Sequence, residues 1–382
     1  MTDTGGLPSK PRVPGFFNVL PMEGDRIQLR SAHRTVILSG SSVKAVARLL
    51  DLLDGTRDVR QVLACFPEIP AVEVLRTLRM LYERRLIEDA AVPAPGVAPE
   101  TPAAPPAPGG AGRTFFSMVF GNGQIALDVL KASRVVVFGL GRVGSHAVAS
   151  LARAGVGNMT VVDDGVVDPS LHECGGLYSP ADTGRPRAEV ACERMAASGA
   201  CARPEPAQVD LANIDRICAC IRGADLVLVC QDHPAVSIYR AINAASLREG
   251  VRWLRTALDG FEAQLGPSVL PRDTACYTCY EKRVRGNWPH YDENLAFEEY
   301  LASGNAPADY GCLTPIAGFL GHVASIECLK LLTGFSYPST SGKMWVFNVN
   351  TFEAKSHPIL KLPRCPSCGS SAGTPVQAQW AL

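Results

Sequence analysis

Net charge is the first thing this chain lacks: its 37 lysines and arginines are matched by 37 aspartates and glutamates. That balance argues against broad electrostatic binding to nucleic acid or to an anionic membrane, both of which need a field of one sign. No uninterrupted apolar run approaches the roughly eighteen residues of a membrane span, and no arginine-rich or apolar leader precedes the first predicted strand. A cytoplasmic location is expected. There is no internal repeat. Nor is there a disulfide framework, because most of the 13 cysteines are scattered through apolar segments, as buried free thiols in a reducing compartment would be. With 382 residues, 47% of them hydrophobic and 19% charged, the chain has material for two or three globular domains.

What is present centres on residues 134–145. Arg134 to Phe138 is a short β-branched run that ends at Gly139-Leu140-Gly141-Arg142-Val143-Gly144, a Gly-x-Gly-x-x-Gly turn, and Val143 to Arg153 then has helical apolar spacing as far as Gly155. A second run, Met159 to Val162, ends in Asp163-Asp164. Glycines at such a turn let phosphates approach a helix N-terminus, and an acid about twenty residues on can accept a ribose hydroxyl. The same turn also serves simply to pack a helix on a sheet.

In chain order, residues 1–15 read as frayed. Phe16 to Leu20, Arg26 to Ser31 and Arg34 to Leu38 read as strands, the last two joined at Ala32-His33. Helices are expected over Ser41 to Leu53, Val59 to Cys65 and Ala71 to Arg85, the last with Val74, Leu75, Leu78, Leu81 and Tyr82 along one stripe. Residues 1–90 thus form a small α+β domain of winged-helix character. Residues 91–112 are nearly all Ala, Pro, Gly and Val and read as an extended tether. From 113 to 382 strands and helices alternate: a helix near Arg187 to Ser198, strands at Asp225 to Cys230 and Val251 to Ala257, and a helix at Ala235 to Arg248 between those two strands. This is the pattern of a mostly parallel, Rossmann-like α/β sheet. Glu262 to Leu270 and Met344 to Val349 read as added antiparallel strands, and Leu313 to Leu332 as a long apolar helix serving the core or a dimer.

Cys276-Tyr-Thr-Cys279 and Cys365-Pro-Ser-Cys368-Gly369 are a pair of CxxC turns, each aiming two thiolates at one tetrahedral metal. A closed four-thiolate shell makes the expected zinc structural. The competing reading, a redox CxxC, lacks the strand-to-helix pattern around either pair.

Taken together, residues 139–145, 161–178, 182–188 and 225–243, the paired CxxC and the 315–334 helix resemble the ThiF/MoeB fold of ubiquitin-activating-like enzymes. The resemblance spans residues 113–370 and implies a dimer that adenylates a peptide C-terminus with ATP and magnesium. It implies Gly139, Gly141 and Gly144 as the phosphate-approaching glycines, Asp163 as the ribose acid, Asp232 as the magnesium-linked aspartate and Arg187 in place of the family's phosphate lysine. The chain also departs from that pattern. Where the family has Asn-Leu-x-Arg-Gln, ungapped alignment puts Leu171, Cys174 and Gly175 at the Asn, Arg and Gln, so the arginine that stabilises transferring phosphate is missing. Residues 281–311 contain no cysteine for thioester or sulfur-transfer chemistry.

The first ninety residues resemble the PqqD-like peptide-recognition element of ribosomal peptide natural-product pathways, through three strands and three helices, the Leu53-Asp54-Gly55-Thr56 turn and Leu75-x-x-Leu-x-x-Leu. With a degenerate ThiF-like domain, this combination resembles the leader-binding partner of YcaO-type cyclodehydratases. The expected partners are a precursor leader peptide and that cyclodehydratase. An open edge at the third strand would pair with the leader, making Val36, Ile37, Leu38, Leu75, Leu78 and Tyr82 the candidate peptide-binding residues. The competing functions are an enzyme that adenylates the bound peptide, with Asp232 and Arg187 as its catalytic candidates, and a winged-helix DNA binder using Arg76, Arg79, Arg84 and Arg85.

Overall fold

The computed structural model describes residues 6–31, 34–91, 110–120, 123–173, 175–197, 203–207, 209–231, 236–301 and 311–369. Residues 92–109 of the expected tether, the Ala32-His33 turn, Cys174 and Asp232 lie outside the described residues. The chain divides into two compact units, Met1–Asp128 and Val129–Leu382.

In the first unit, strands Asn18–Met22, Arg26–Arg30 and Thr35–Ser39 form an antiparallel sheet in that order. Alternation sets its inner face, since Ile27 and Leu29 are buried while Arg26 and Arg30 are exposed. Helices Val43–Leu52, Val59–Ala64 and Ala71–Glu83 cover that face. The short middle helix starts where Asp58 and Gln61 cap each other, the Asp58 carboxylate accepting the Gln61 amide at 2.8 Å and the Gln61 side chain accepting the Asp58 amide at 2.9 Å. Leu49, Leu50, Leu53, Val62, Val74, Leu78 and Leu81 fill the core. The expectation that residues 1–15 fray is corrected for the stretch from Ser9. Pro11–Arg12 pairs with Glu88–Asp89, and Asp89 accepts the Ser9 and Lys10 amides at 2.7 and 2.9 Å. The partners lie about eighty residues downstream, so local sequence could not reveal them. Two helices unforeseen in the sequence follow, Gly110–Phe120 and Gly123–Ala132, and the first corrects the expected 91–112 tether at its end, since residues 110–112 are helical.

The second unit is built on an eight-stranded sheet. Five parallel strands run in the order Arg203–Ala207, Asn158–Val162, Arg134–Phe138, Leu226–Gln231, Trp253–Asp259, and three antiparallel ones follow, Glu262–Val269, Lys343–Asn348 and Glu353–Pro358. The two strands that sequence did not reveal are both edges. Arg-Pro-Glu-Pro-Ala carries two prolines, tolerated only where an amide need not join a ladder, and all six residues of Glu353–Pro358 are exposed, so neither sequence carries the apolar run of an inner strand.

Helix Thr314–Thr333 is long and apolar enough to cross a membrane by length and composition, yet half of its apolar window is buried. It packs closely on Arg142–Ala154. A Cβ added at Gly321 would lie 2.7 Å from the His146 Cβ and 2.8 Å from the Val143 carbonyl oxygen, and Ser325 Oγ donates to the Ala147 carbonyl at 3.2 Å. Small residues, rather than apolar length, position this helix in the core.

Candidate functional site

The glycine turn sits where the sheet's connectivity reverses. From Arg134–Phe138 the chain steps outward through Asn158–Val162 to Arg203–Ala207, then crosses to the other side of Arg134–Phe138 as Leu226–Gln231. Open parallel sheets form their ligand crevice at such a reversal, outside the carboxyl ends of the strands. Gly139 follows the first of the two strands, and in the sequence Asp232 is the next residue after the second.

Gly139 has φ +89°, a conformation that needs glycine, and Gly141 caps the helix Arg142–Ala154. Gly144 has a packing role, because a Cβ there would lie 1.9 Å from the Gly139 carbonyl oxygen. Asp163 closes on the turn, its Oδ2 accepting the Leu140 amide at 2.6 Å and its Oδ1 the Gly165 amide at 2.8 Å. The Tyr178 hydroxyl donates to the Leu140 carbonyl at 2.7 Å. Arg187 comes to 3.7 Å from Asp163, donates to the Val166 carbonyl at 2.8 Å and pairs with Asp168 at 3.2 Å. Burial pushes the Asp168 carboxyl up, but the Ser170 hydroxyl and amide and the Arg187 guanidinium outweigh it and hold its pKa below the ordinary value.

Sequence reasoning assigned no role to Arg142, Asp168 or Tyr178. Arg142, 7% exposed, donates to Ser170 Oγ at 3.1 Å. Its place inside the Gly-x-Gly-x-x-Gly was the available signal. The amides and arginines around the turn fit the phosphates of a nucleotide. The loop at 168–176, however, contains no lysine or arginine to meet charge transferring from those phosphates.

The four predicted cysteines come together. The Sγ atoms of Cys276, Cys279, Cys365 and Cys368 all lie within 4.8 Å of one another, with contacts of 3.6 Å for 276–365 and 279–368 and 3.9 Å for 276–279. A tetrahedral zinc with bonds of about 2.3 Å sets its sulfurs about 3.8 Å apart, whereas a disulfide needs about 2.05 Å. The donor set therefore fits one metal ion. Burial pushes the Cys276 and Cys368 thiols up, so a cation is what would hold all four as thiolates. The Leu362 amide donates to Cys279 Sγ at 3.4 Å, and a Cβ at Gly369 would lie 2.5 Å from the Cys365 carbonyl oxygen, which explains the glycine after the second pair.

In the first unit, Thr35–Ser39 pairs with Arg26–Arg30 and, among the described residues, leaves its other edge open. Beside it lies a groove of about 400 Å³ lined by Ile37, Leu38, Val43, Val46, Met80 and Arg84, with Ser39 to Ser42 at its rim. Val36 and Leu38 are half-buried and Ile37 is 51% exposed. The helical residues that reach the groove differ from those expected. Leu78 is fully buried in the core, which corrects its assignment as a peptide contact, while Leu75 packs on the core and Tyr82 is exposed outside the groove lining. At 3.6 residues per turn, Val74, Leu78 and Leu81 form the buried row, and Met80 and Arg84 fall on the adjoining row that faces the strand.

The model of the ThiF family matches residues 116–369. The molybdopterin-synthase adenylyltransferase of Salmonella typhimurium is 29% identical over 242 residues, covering 63% of this chain and 89% of that protein. The sulfur carrier protein ThiS adenylyltransferase of Escherichia coli is 29% identical over 256 residues, covering 66% and 94%. Among solved structures, the microcin C7 biosynthetic enzyme MccB in complex with N-formylated MccA superposes with a TM-score of 0.71 at 16% identity over 94% of this chain and 99% of that one. E. coli MccB with ATP gives 0.70 at 17% over the same shares. At such identities the structural likeness is one of fold.

Proposed function

Because the match over residues 116–369 makes this chain a member of the ThiF family, we propose that it uses that fold as a scaffold, holding a ribosomally made precursor peptide on its first unit and presenting it to a YcaO-type cyclodehydratase. The observation that carries this reading is the Thr35–Ser39 edge, open among the described residues, beside a groove lined in part by Ile37, Leu38, Val46 and Met80, the arrangement for adding a peptide strand by main-chain hydrogen bonds. Its support from relatives is the likeness in fold to MccB, a biosynthetic enzyme solved in complex with N-formylated MccA, over nearly the whole of both chains. The loop at 168–176, with no cation to stabilise transferring phosphate, favours delivery over catalysis. The four cysteines would hold a structural zinc that ties 365–368 to helix Tyr277–Arg285 and takes no part in chemistry. The chain is expected to act in the cytoplasm as a homodimer.

A second reading, adenylation of the bound peptide, is favoured by the retained glycine turn with Asp163 and Arg187 around it. ATP would then bind at Gly139 and Gly141, and Asp232 would carry the magnesium. One experiment separates the two readings: binding of candidate precursor leader peptides, and leader-dependent ATP–pyrophosphate exchange, each with and without a YcaO-type cyclodehydratase. Delivery predicts leader binding, little exchange by this chain alone and peptide-dependent ATP use only with the YcaO protein. Brisk exchange by this chain alone would replace delivery with adenylation. Absence of leader binding would end both.

A further inference from the structure

The groove in the first unit has a charge at one end. Of the residues that line it, Arg84 alone is charged, and the rest are apolar or small hydroxyl and glycine residues. Three other arginines of this unit are committed to ion pairs: Arg12 to Glu88 at 2.6 Å, Arg48 to Glu68 at 2.7 Å and Arg57 to Asp54 at 2.9 Å. Arg84 has no ion pair among the described residues. A second cavity of about 440 Å³ continues the groove through Ser41, Ser42 and Val46, and there Lys44 stands with Glu73 and with Glu68, itself paired to Arg48. Charge is offset at that end and left over at the Arg84 end. The N-terminus of helix Val43–Leu52 opens on the same space, with no acidic residue in its first turn, which adds to the positive field there.

We infer that the peptide recognised here carries an aspartate or glutamate that meets Arg84, on the same face as an apolar residue packed over Val46 and Met80. Successive side chains of an extended peptide alternate between faces, so the acid lies two or four residues from the apolar anchor. The inference rests on the peptide-binding reading and names the chemical class of its ligand. Arg84 caps the C-terminus of the Ala71–Glu83 helix, is exposed, and lines the groove beside the strand edge. An ion pair at a half-exposed groove changes affinity by about fivefold, enough to bias a selection.

The test uses the full chain and a random twelve-residue peptide library displayed on phage, selected separately on the wild type, Arg84→Glu, Arg84→Gln and Arg79→Glu. Arg79 is an exposed arginine of the same helix that does not line the groove. The wild type and Arg79→Glu should both enrich peptides with an acid two or four residues from an apolar position. Arg84→Gln should lose that preference, and Arg84→Glu should exchange it for lysine or arginine. Synthetic peptides from the wild-type pool should bind Arg84→Glu at least about fivefold more weakly by fluorescence polarisation, with the affinity gap closing in high salt. Peptides that enrich on all four proteins with the same acidic bias would refute the role of Arg84 and leave peptide binding intact. Failure of the wild type to enrich any groove-dependent peptide would overturn both.

Discussion

The register of the edge strand makes opposite predictions for two adjacent residues. The Ser31 amide donates to the Arg34 carbonyl at 2.8 Å, and facing pairs in an antiparallel ladder alternate between bonded and non-bonded. Pairing is Arg30 with Thr35, Leu29 with Val36, Gln28 with Ile37 and Ile27 with Leu38. Val36 and Leu38 therefore spend their amides on the neighbouring strand, while Ile37 points its amide at the open edge. Val36→Pro removes an internal ladder bond and strands a carbonyl on Leu29, a fully buried residue, at a cost of about 1–3 kcal/mol before the clash of the ring. In a unit of this size each kcal/mol shifts the melting temperature by about 4–8 °C, so the first unit should melt at least about 4 °C lower. Ile37→Pro removes only an outward donor from a residue that is 51% exposed, and its cost should stay near 1 kcal/mol. It should nevertheless weaken leader binding tenfold or more, because a lost main-chain bond and the ring both stand where the peptide strand pairs. Ile37→Ala keeps the amide and should bind within a fewfold of wild type. Thermal melts and fluorescence polarisation on the full chain read both effects. Undiminished leader binding by a folded Ile37→Pro, or a destabilised Ile37→Pro beside a stable Val36→Pro, would refute the register argument.

The remaining predictions concern the second unit. One zinc per chain should be measured by metal analysis and fall to near zero in Cys365→Ser, with chelation loosening the C-terminal region to protease. Gly144→Ala should leave the protein insoluble or cost about 3 kcal/mol or more, since its Cβ would overlap the Gly139 carbonyl oxygen at 1.9 Å. Asp182, held by the Ser179 hydroxyl first and then by Arg194, has a pKa lowered from the ordinary 3.8 to about 2. A depressed carboxylate stabilises the fold above its unfolded value and loses that contribution as pH falls from about 4 toward 2, so Asp182→Asn should flatten this part of the pH–stability curve. ATP–pyrophosphate exchange by the isolated protein should be near background, and exchange that depends on peptide and is lost in Asp163→Ala would reverse the functional assignment.

Where periodicity and motif were strong, the sequence alone was sufficient. The Gly-x-Gly-x-x-Gly after a β-branched run announced the strand, turn and helix at 134–154, and the two CxxC pairs announced a cluster whose members lie nearly ninety residues apart. Both signals are local: a left-handed glycine and a two-residue spacer between thiols have the same geometric meaning wherever they fall. The three helices and the Arg26–Arg30 strand of the first unit were legible because each buries one face.

Tertiary structure decided whatever depended on a distant partner. Pro11–Arg12 becomes a strand only because Glu88–Asp89 lies beside it, and the proline-bearing Arg203–Ala207 only because Asn158–Val162 offers an edge. The Ala71–Glu83 helix shows the same division at the scale of a site. Its sequence marks an apolar stripe, but only packing determines that Leu78 goes to the core and that Met80 and Arg84 face the strand. Sequence fixes the spacing of side chains around a helix, whereas the neighbours against which the helix packs determine which row is left for a ligand.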